Sequence, residues 1–111
     1  GKLDDAISHF KKAIAMFPNY ADAHNYLGEC LRHQGNMEDA VKSYQDTLAL
    51  NPNHAGANYN MGEFLYLAGR YDEAADFLER SKLDDWQERA LYCLYKAKRF
   101  DEFKTRLDDI V

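Results

Sequence analysis

The sequence predicts an all-α solenoid of stacked antiparallel helix pairs with about seven helices. Glycine, alanine and proline recur at a fixed interval of 34 residues, and such an interval is typical of helical repeat proteins. Within each interval apolar residues are spaced by three and four positions, which places them on one face of a helix. Because a helix pair can bury that face only against neighbouring pairs, the periodicity predicts a continuous array.

Small residues and proline define the repeat. Each of these residues returns 34 positions later, and the large apolar positions between them keep their character. Agreement at four separate positions indicates an internal repeat rather than chance. The matched positions are Gly1, Gly35 and Gly69; Ala6, Ala40 and Ala74; Gly28 and Gly62; and Pro18 and Pro52.

Start and stop signals set the helix boundaries. Gly35 and Gly69 stand where a helix should end on a residue that can adopt positive φ. Pro18 and Pro52 follow the second helix of their periods, where proline prevents continuation. These signals predict helices over residues 3–16, 21–34, 38–50, 55–68, 72–83, 86–97 and 101–110.

The period shortens from 34 to 29 residues after Leu83. At the shorter offset, Leu91 occupies the position of Gly62, and Phe103 occupies that of Ala74. Large side chains at positions that were small predict looser or differently angled packing of the last helix pair.

Trp86 stands where the register of Pro18 and Pro52 predicts another proline. Asp85 and Glu88 have the spacing of a capping box, which predicts that a helix begins at Trp86. Three interpretations of Trp86 remain open: a hydrophobic plug over the end of the stack, a packing residue in a tightened linker, or an anchor for a partner.

Composition limits the function classes. The 111 residues suit one domain, and 46% hydrophobic and 30% charged residues are typical of a folded protein. The net charge is −5, and the basic residues are scattered among acidic ones. This distribution argues against nucleic-acid binding, so we expect protein or peptide partners.

No segment resembles a membrane span, a metal site or a targeting signal. No apolar run approaches the ~20 residues that a transmembrane helix needs, so membrane insertion is not expected. Cys30 and Cys93 are 63 positions apart, without the spacing of a zinc site. We expect no metal, no cofactor and an intracellular, cytoplasmic location. The start lacks an initiator methionine, which suggests a fragment of a longer chain.

The segment HNYLGECL resembles the first helix of a tetratricopeptide repeat, with His24, Leu27, Gly28 and Leu31 at the motif positions. Ala40, Tyr44 and Pro52 continue the motif, and the resemblance extends over residues 1–83. It implies a right-handed solenoid and a single array over residues 1–111. Its predicted parts are the second half of a truncated repeat at 1–20, repeats at 21–54 and 55–83, and a divergent helix pair at 84–111.

The resemblance implies a protein-interaction scaffold without catalytic activity. In this family the first helices of successive pairs line a concave groove that holds an extended peptide or a partner helix. Tyrosine and asparagine on that surface suit such a ligand. Helical spacing predicts these groove residues: Asn25, Tyr26, Glu29, Arg32, His33, Tyr59, Asn60, Glu63, Tyr66, Glu88, Arg89, Tyr92 and Tyr95.

One branch of the family grips the C-terminal carboxylate of chaperone tails with a set of five residues. Asn60 and Arg89 match two of the five positions, but Glu29 and Asp85 are among the residues at the others. Because cations are missing and carboxylates would repel such a ligand, the sequence argues against this ligand class.

Two further hypotheses stay open. The repeats also resemble those of Ser/Thr N-acetylglucosamine transferases, which implies a substrate-recruiting segment of a larger enzyme. The sequence beyond Val111 would distinguish the two functions. Alternatively, the truncated half-repeat could expose Leu3, Ile7 and Phe10 and drive self-association.

Overall fold

The computed structural model describes residues 1–83 and 85–110, and all regular structure in that part of the chain is α-helical. Each helix begins and ends within two residues of its predicted bounds, which confirms the all-α prediction. None of the described helices is long and apolar enough to cross a membrane. The helices are α1 (Lys2–Met16), α2 (Ala21–His33), α3 (Met37–Leu50), α4 (Ala55–Leu67), α5 (Tyr71–Ser81), α6 (Trp86–Lys96) and α7 (Phe100–Ile110).

The helices α2, α4 and α6 end with the same hydrogen-bond pattern. After each of them, one residue adopts positive φ: Gly35 at 91°, Gly69 at 77° and Lys98 at 62°. The N–H of the following residue then donates to the carbonyl five positions earlier, as Arg99 donates to Leu94 at 2.8 Å. This is the Schellman motif. Lys98 follows Gly69 by 29 residues, which confirms the shortened period.

The shortening lies at helix ends and not in the linker. By the 34-residue period, the end of α3 at Leu50 predicts residue 84 for the end of α5, but α5 ends at Ser81. By the 29-residue period, the start of α4 at Ala55 predicts residue 84 for the start of α6, but α6 begins at Trp86. Four positions separate α3 from α4, and four separate α5 from α6. The prediction of a tightened linker is therefore wrong.

The chain divides into two compact units, Gly1–Ala57 and Asn58–Val111, with the boundary inside α4. In the first unit α2 packs against α1 and α3. A methyl group added at Gly28 would lie 2.5 Å from the Tyr44 ring and 3.2 Å from the Ala40 carbonyl oxygen. Real atoms never approach so closely, which explains why this position is glycine.

The apolar residues of α1 do not form the exposed surface that the sequence predicts. Ile7 is only 8% exposed, and Leu3 and Phe10 are half-buried. The Phe10 ring lies 5.6 Å from the Tyr26 ring, so α2 covers it. Since these three side chains pack within the unit, they offer little surface for self-association, and that part of the prediction is wrong.

In the second unit α6 packs against α5 and α7. A methyl group at Gly62 would lie 2.8 Å from the Leu78 side chain and 3.2 Å from its backbone nitrogen, so α4 and α5 meet at this position. Burial raises the pKa of the Cys93 thiol to about 11. The prediction that Cys93 is a small buried hydrophobe is thereby confirmed.

Charged contacts hold α7 more than apolar ones do. None of its residues from 100 to 110 is buried. The Arg99 guanidinium, just before α7, contacts Asp72 at 2.9 Å and Asp76 at 3.3 Å. Arg106 of α7 pairs with Glu79 of α5. These observations confirm the looser packing predicted for the last helix pair.

Candidate functional site

Five predicted groove residues meet on α4 and α6 in the second unit. The hydrogen bonds, ion pairs and ring contacts described below link them to two residues that the prediction did not include. We call the set the tyrosine–arginine cluster; it comprises Tyr59, Glu63, Tyr66, Tyr71, Asp85, Arg89 and Tyr92.

Arg89 lies at the centre of the cluster. Its Nε donates to Asp85 Oδ2 at 3.0 Å, and its Nη1 donates to Glu63 Oε2 at 3.4 Å. The guanidinium carbon lies 5.2 Å from the centre of the Tyr66 ring and 6.0 Å from that of Tyr59. Burial alone would lower the pKa of Arg89, but the hydrogen bond to Asp85 and the nearby acidic groups raise it. The side chain is therefore held from several directions.

Tyr59 and Asp85 form the second link in the cluster. The Tyr59 hydroxyl donates to Asp85 Oδ1 at 2.8 Å. Burial, followed by this hydrogen bond, raises the pKa of Tyr59 to about 12. The same bond lowers the pKa of Asp85, and the bond from Arg89 lowers it further. At neutral pH Tyr59 is therefore protonated and Asp85 is ionised.

The predicted capping box at the start of α6 does not form. Asp85 occupies the N-cap position, but its side chain makes no capping hydrogen bond. Its two carboxylate oxygens instead accept from Tyr59 and Arg89. The capping prediction is wrong because tertiary partners take the acceptor that a local cap would need.

Three tyrosines form the aromatic part of the cluster. The ring centres of Tyr66, Tyr71 and Tyr92 lie between 5.6 and 6.0 Å apart in tilted or edge-to-face arrangements. Burial, followed by the proximity of Tyr92, raises the pKa of Tyr71. Lys96 lies 5.9 Å from the centre of the Tyr71 ring. Tyr92 remains 44% exposed, so part of the aromatic surface faces solvent.

The sequence prediction missed Tyr71 because it considered only first helices of pairs, whereas Tyr71 begins a second helix. An available signal was the aromatic ring itself, since the matching positions of earlier periods hold Leu3 and Met37. The other predicted residues of the second unit lie outside the cluster. Asn60 is half-buried and Glu88 is exposed, while Tyr95 packs toward Phe100 and Phe103 of the α7 region at 6.2 and 6.0 Å.

The predicted residues of the first unit form no comparable cluster. Asn25 is only 3% exposed and lies beside Gly56, so it packs inside the unit. The Tyr26 ring is partly exposed and contacts Phe10. Glu29 and Arg32 are half-buried, and His33 is exposed. Within the described residues, no group of three or more His, Cys, Asp or Glu side chains is arranged to hold a metal ion.

Trp86 contacts neighbours within its own unit. The Lys82 ammonium lies 5.0 Å from the centre of the indole ring, and the Arg106 guanidinium lies 5.4 Å from it. Such contacts are attractive because the ring face carries negative charge density. Of the three interpretations, these contacts favour a packing residue, which connects the start of α6 to α7.

Comparison with known proteins identifies the family. Two family models described as tetratricopeptide repeat match the chain, one over residues 1–49 and the other over residues 33–92. The chain belongs to the tetratricopeptide repeat family. The repeat pattern in the sequence and the seven helices of the structure agree with this membership.

Solved structures of tetratricopeptide repeat proteins share the fold. A crystal structure of MamA is 22% identical, with a TM-score of 0.77 over 97% of this chain and 62% of that chain. PilF of Pseudomonas aeruginosa is 25% identical, with a TM-score of 0.77 over 98% of this chain and 52% of that chain. A second MamA structure is 23% identical, with a TM-score of 0.73 and shares of 97% and 64%.

The chain spans between about half and two thirds of the length of these proteins. The comparison with curated proteins finds no match. The structural likeness therefore supports the all-α solenoid fold.

Proposed function

We propose that this protein is an interaction module that holds a segment of a partner protein on the face of α4 and α6 in the second unit. Tetratricopeptide repeats serve as protein-interaction scaffolds, which supports the general role. The observation that carries the more specific proposal is the tyrosine–arginine cluster, where partly exposed tyrosine rings surround a fixed guanidinium.

The chemistry of the cluster suits an extended peptide. Tyrosine offers a large apolar face and a hydroxyl group with few rotatable bonds, so little entropy is lost when a ligand covers it. Arg89 is fixed by Asp85 and Glu63, and it in turn supports the rings of Tyr59 and Tyr66. Side chains that are already ordered reduce the cost of binding.

The first unit offers a separate and smaller set of candidates. The partly exposed Tyr26, with Glu29, Arg32 and His33 on the same helix, belongs to the surface that the sequence predicts for binding. Asn25 is omitted from the proposal because it is buried. We propose that these four residues add contacts to the same kind of ligand.

A displayed library of random peptides tests the proposed function. The wild-type protein should enrich a set of peptides, and Tyr92→Ala should weaken their binding by tenfold or more, as truncation of an aromatic anchor does. Tyr20→Ala is the matched control, because Tyr20 is an equally exposed tyrosine outside the predicted groove. This control should bind the peptides as wild type does. Equal binding by Tyr92→Ala and wild type would contradict the proposal.

A further inference from the structure

We propose that the tyrosine–arginine cluster selects segments that carry lysine or arginine, and that Asp85 is the residue that sets this preference. The inference rests on the proposed function and deepens it, since it assigns a charge to the ligand. Three observations carry it: the balance of charges, the exposed tyrosine surface and the position of Asp85.

The balance of charges on this face favours a cationic ligand. Glu63, Asp85 and the exposed Glu88 provide three negative charges. Arg89 and the nearby Lys96 provide two positive charges. Arg89 already contacts two carboxylates, at 3.0 and 3.4 Å. An acidic ligand would have to displace these contacts and would then meet the remaining negative charges.

The tyrosine rings add a second attraction for cations. The face of an aromatic ring attracts lysine and arginine side chains. Arg89 provides an example inside the protein, since its guanidinium lies 5.2 Å from the centre of the Tyr66 ring. The ring of Tyr92 is 5.7 Å from that of Tyr66 and is 44% exposed. Tyr92 therefore offers a similar ring to a guanidinium or ammonium group from solution.

The late start of α6 explains why Asp85 reaches the cluster. This helix begins two residues later than α4 does in the repeat register, so Asp85 stands just before the helix. Its side chain is not engaged in capping and binds Tyr59 and Arg89 instead. Without this carboxylate, Arg89 would lose one of its two acidic partners and become a better receptor for anions. Asp85 is therefore expected to control the sign of the ligand charge.

Fluorescence anisotropy with matched peptides tests the inference. The probes share one uncharged peptide frame, and its central positions are Lys-Arg-Lys in one probe, Glu-Asp-Glu in the second and Ser-Ser-Ser in the third. Wild type should bind the cationic probe at least tenfold more tightly than the acidic one. Asp85→Asn should reduce this ratio by about tenfold, and Asp85→Glu should retain most of it.

Asp101→Asn is the matched control, because it removes one exposed carboxylate from α7, outside the cluster. It should keep the wild-type ratio, and circular dichroism should show that all variants keep their helices. A wild-type preference for the acidic or the uncharged probe would overturn the inference and leave the proposed function standing. An unchanged ratio in Asp85→Asn would overturn the role of Asp85. If wild type binds none of the probes and enriches no library peptide, the inference and the proposed function both fail.

Discussion

At the scale of the residue, Gly62 shows how closely the helices approach one another. Helix propensity alone predicts that Gly62→Ala stabilises the protein, because alanine is favoured over glycine by about 1 kcal/mol inside a helix. Packing predicts the opposite, since the added methyl group would lie 2.8 Å from Leu78 and 3.2 Å from its backbone nitrogen.

We expect Gly62→Ala to lower the free energy of unfolding by about 1–3 kcal/mol, the usual cost of overpacking. Urea denaturation measures this change. Ser8→Ala, at an exposed helical position, is the control and should change the free energy little. A stabilising effect of Gly62→Ala would show that propensity outweighs packing at this position.

Tyr59 gives a prediction for alkaline pH. Burial and the hydrogen bond to Asp85 raise its pKa from 10 to about 12 in the folded state. Because folding favours the protonated phenol, this contribution to stability is complete below pH 10 and is lost as the pH rises from 10 through 12. Urea denaturation across this range should show a steeper loss of stability in wild type than in Tyr59→Phe. Parallel curves would contradict the assignment.

At the scale of the element, Lys98 carries a cost that glycine does not carry at the corresponding turns. Its φ is 62°, and the matching residues after α2 and α4 are glycines. A left-handed conformation costs a residue with a Cβ atom roughly 1–2 kcal/mol. Lys98→Gly should therefore raise the free energy of unfolding by about 1 kcal/mol, as measured by urea denaturation. Gly69→Ala, which adds a Cβ atom at the equivalent turn, should lower it.

The helix α7 should be the least protected of the described helices. It has no buried residue and is held mainly by ion pairs at its start and centre. Local opening needs little free energy where few apolar contacts must break. Amide hydrogen exchange should be fastest in α7 and slowest in α3, where Ala40, Tyr44 and Thr47 are fully buried. Equal protection in the two helices would contradict this account of α7.

At the scale of the whole molecule, the fold was largely predictable because each repeat provides an independent signal. Periodicity, Gly35, Gly69 and the two prolines located the helix ends to within two residues. The shortened period was also visible, but its location was not. A change of offset records how many residues are missing, and only the structure shows that they come from the ends of α5 and α6.

The candidate site was predictable only in part. Helical spacing identified Tyr66, Arg89 and Tyr92, because residues on one face of a helix follow from its period. It could not show that Asp85 leaves its local cap for Tyr59 and Arg89, since that choice depends on a tertiary contact. The burial of Asn25 was missed for the same reason, because it depends on the close approach of the segment around Gly56.

The central claim is that this tetratricopeptide repeat protein binds a partner segment through the tyrosine–arginine cluster. The most direct measurement is a heteronuclear NMR titration with a peptide that the wild-type protein enriches from the library. We predict that the largest amide shifts occur around Tyr59, Tyr66, Arg89 and Tyr92, on α4 and α6. Shifts confined to α7 or to the first unit, with the cluster unchanged, would contradict the claim.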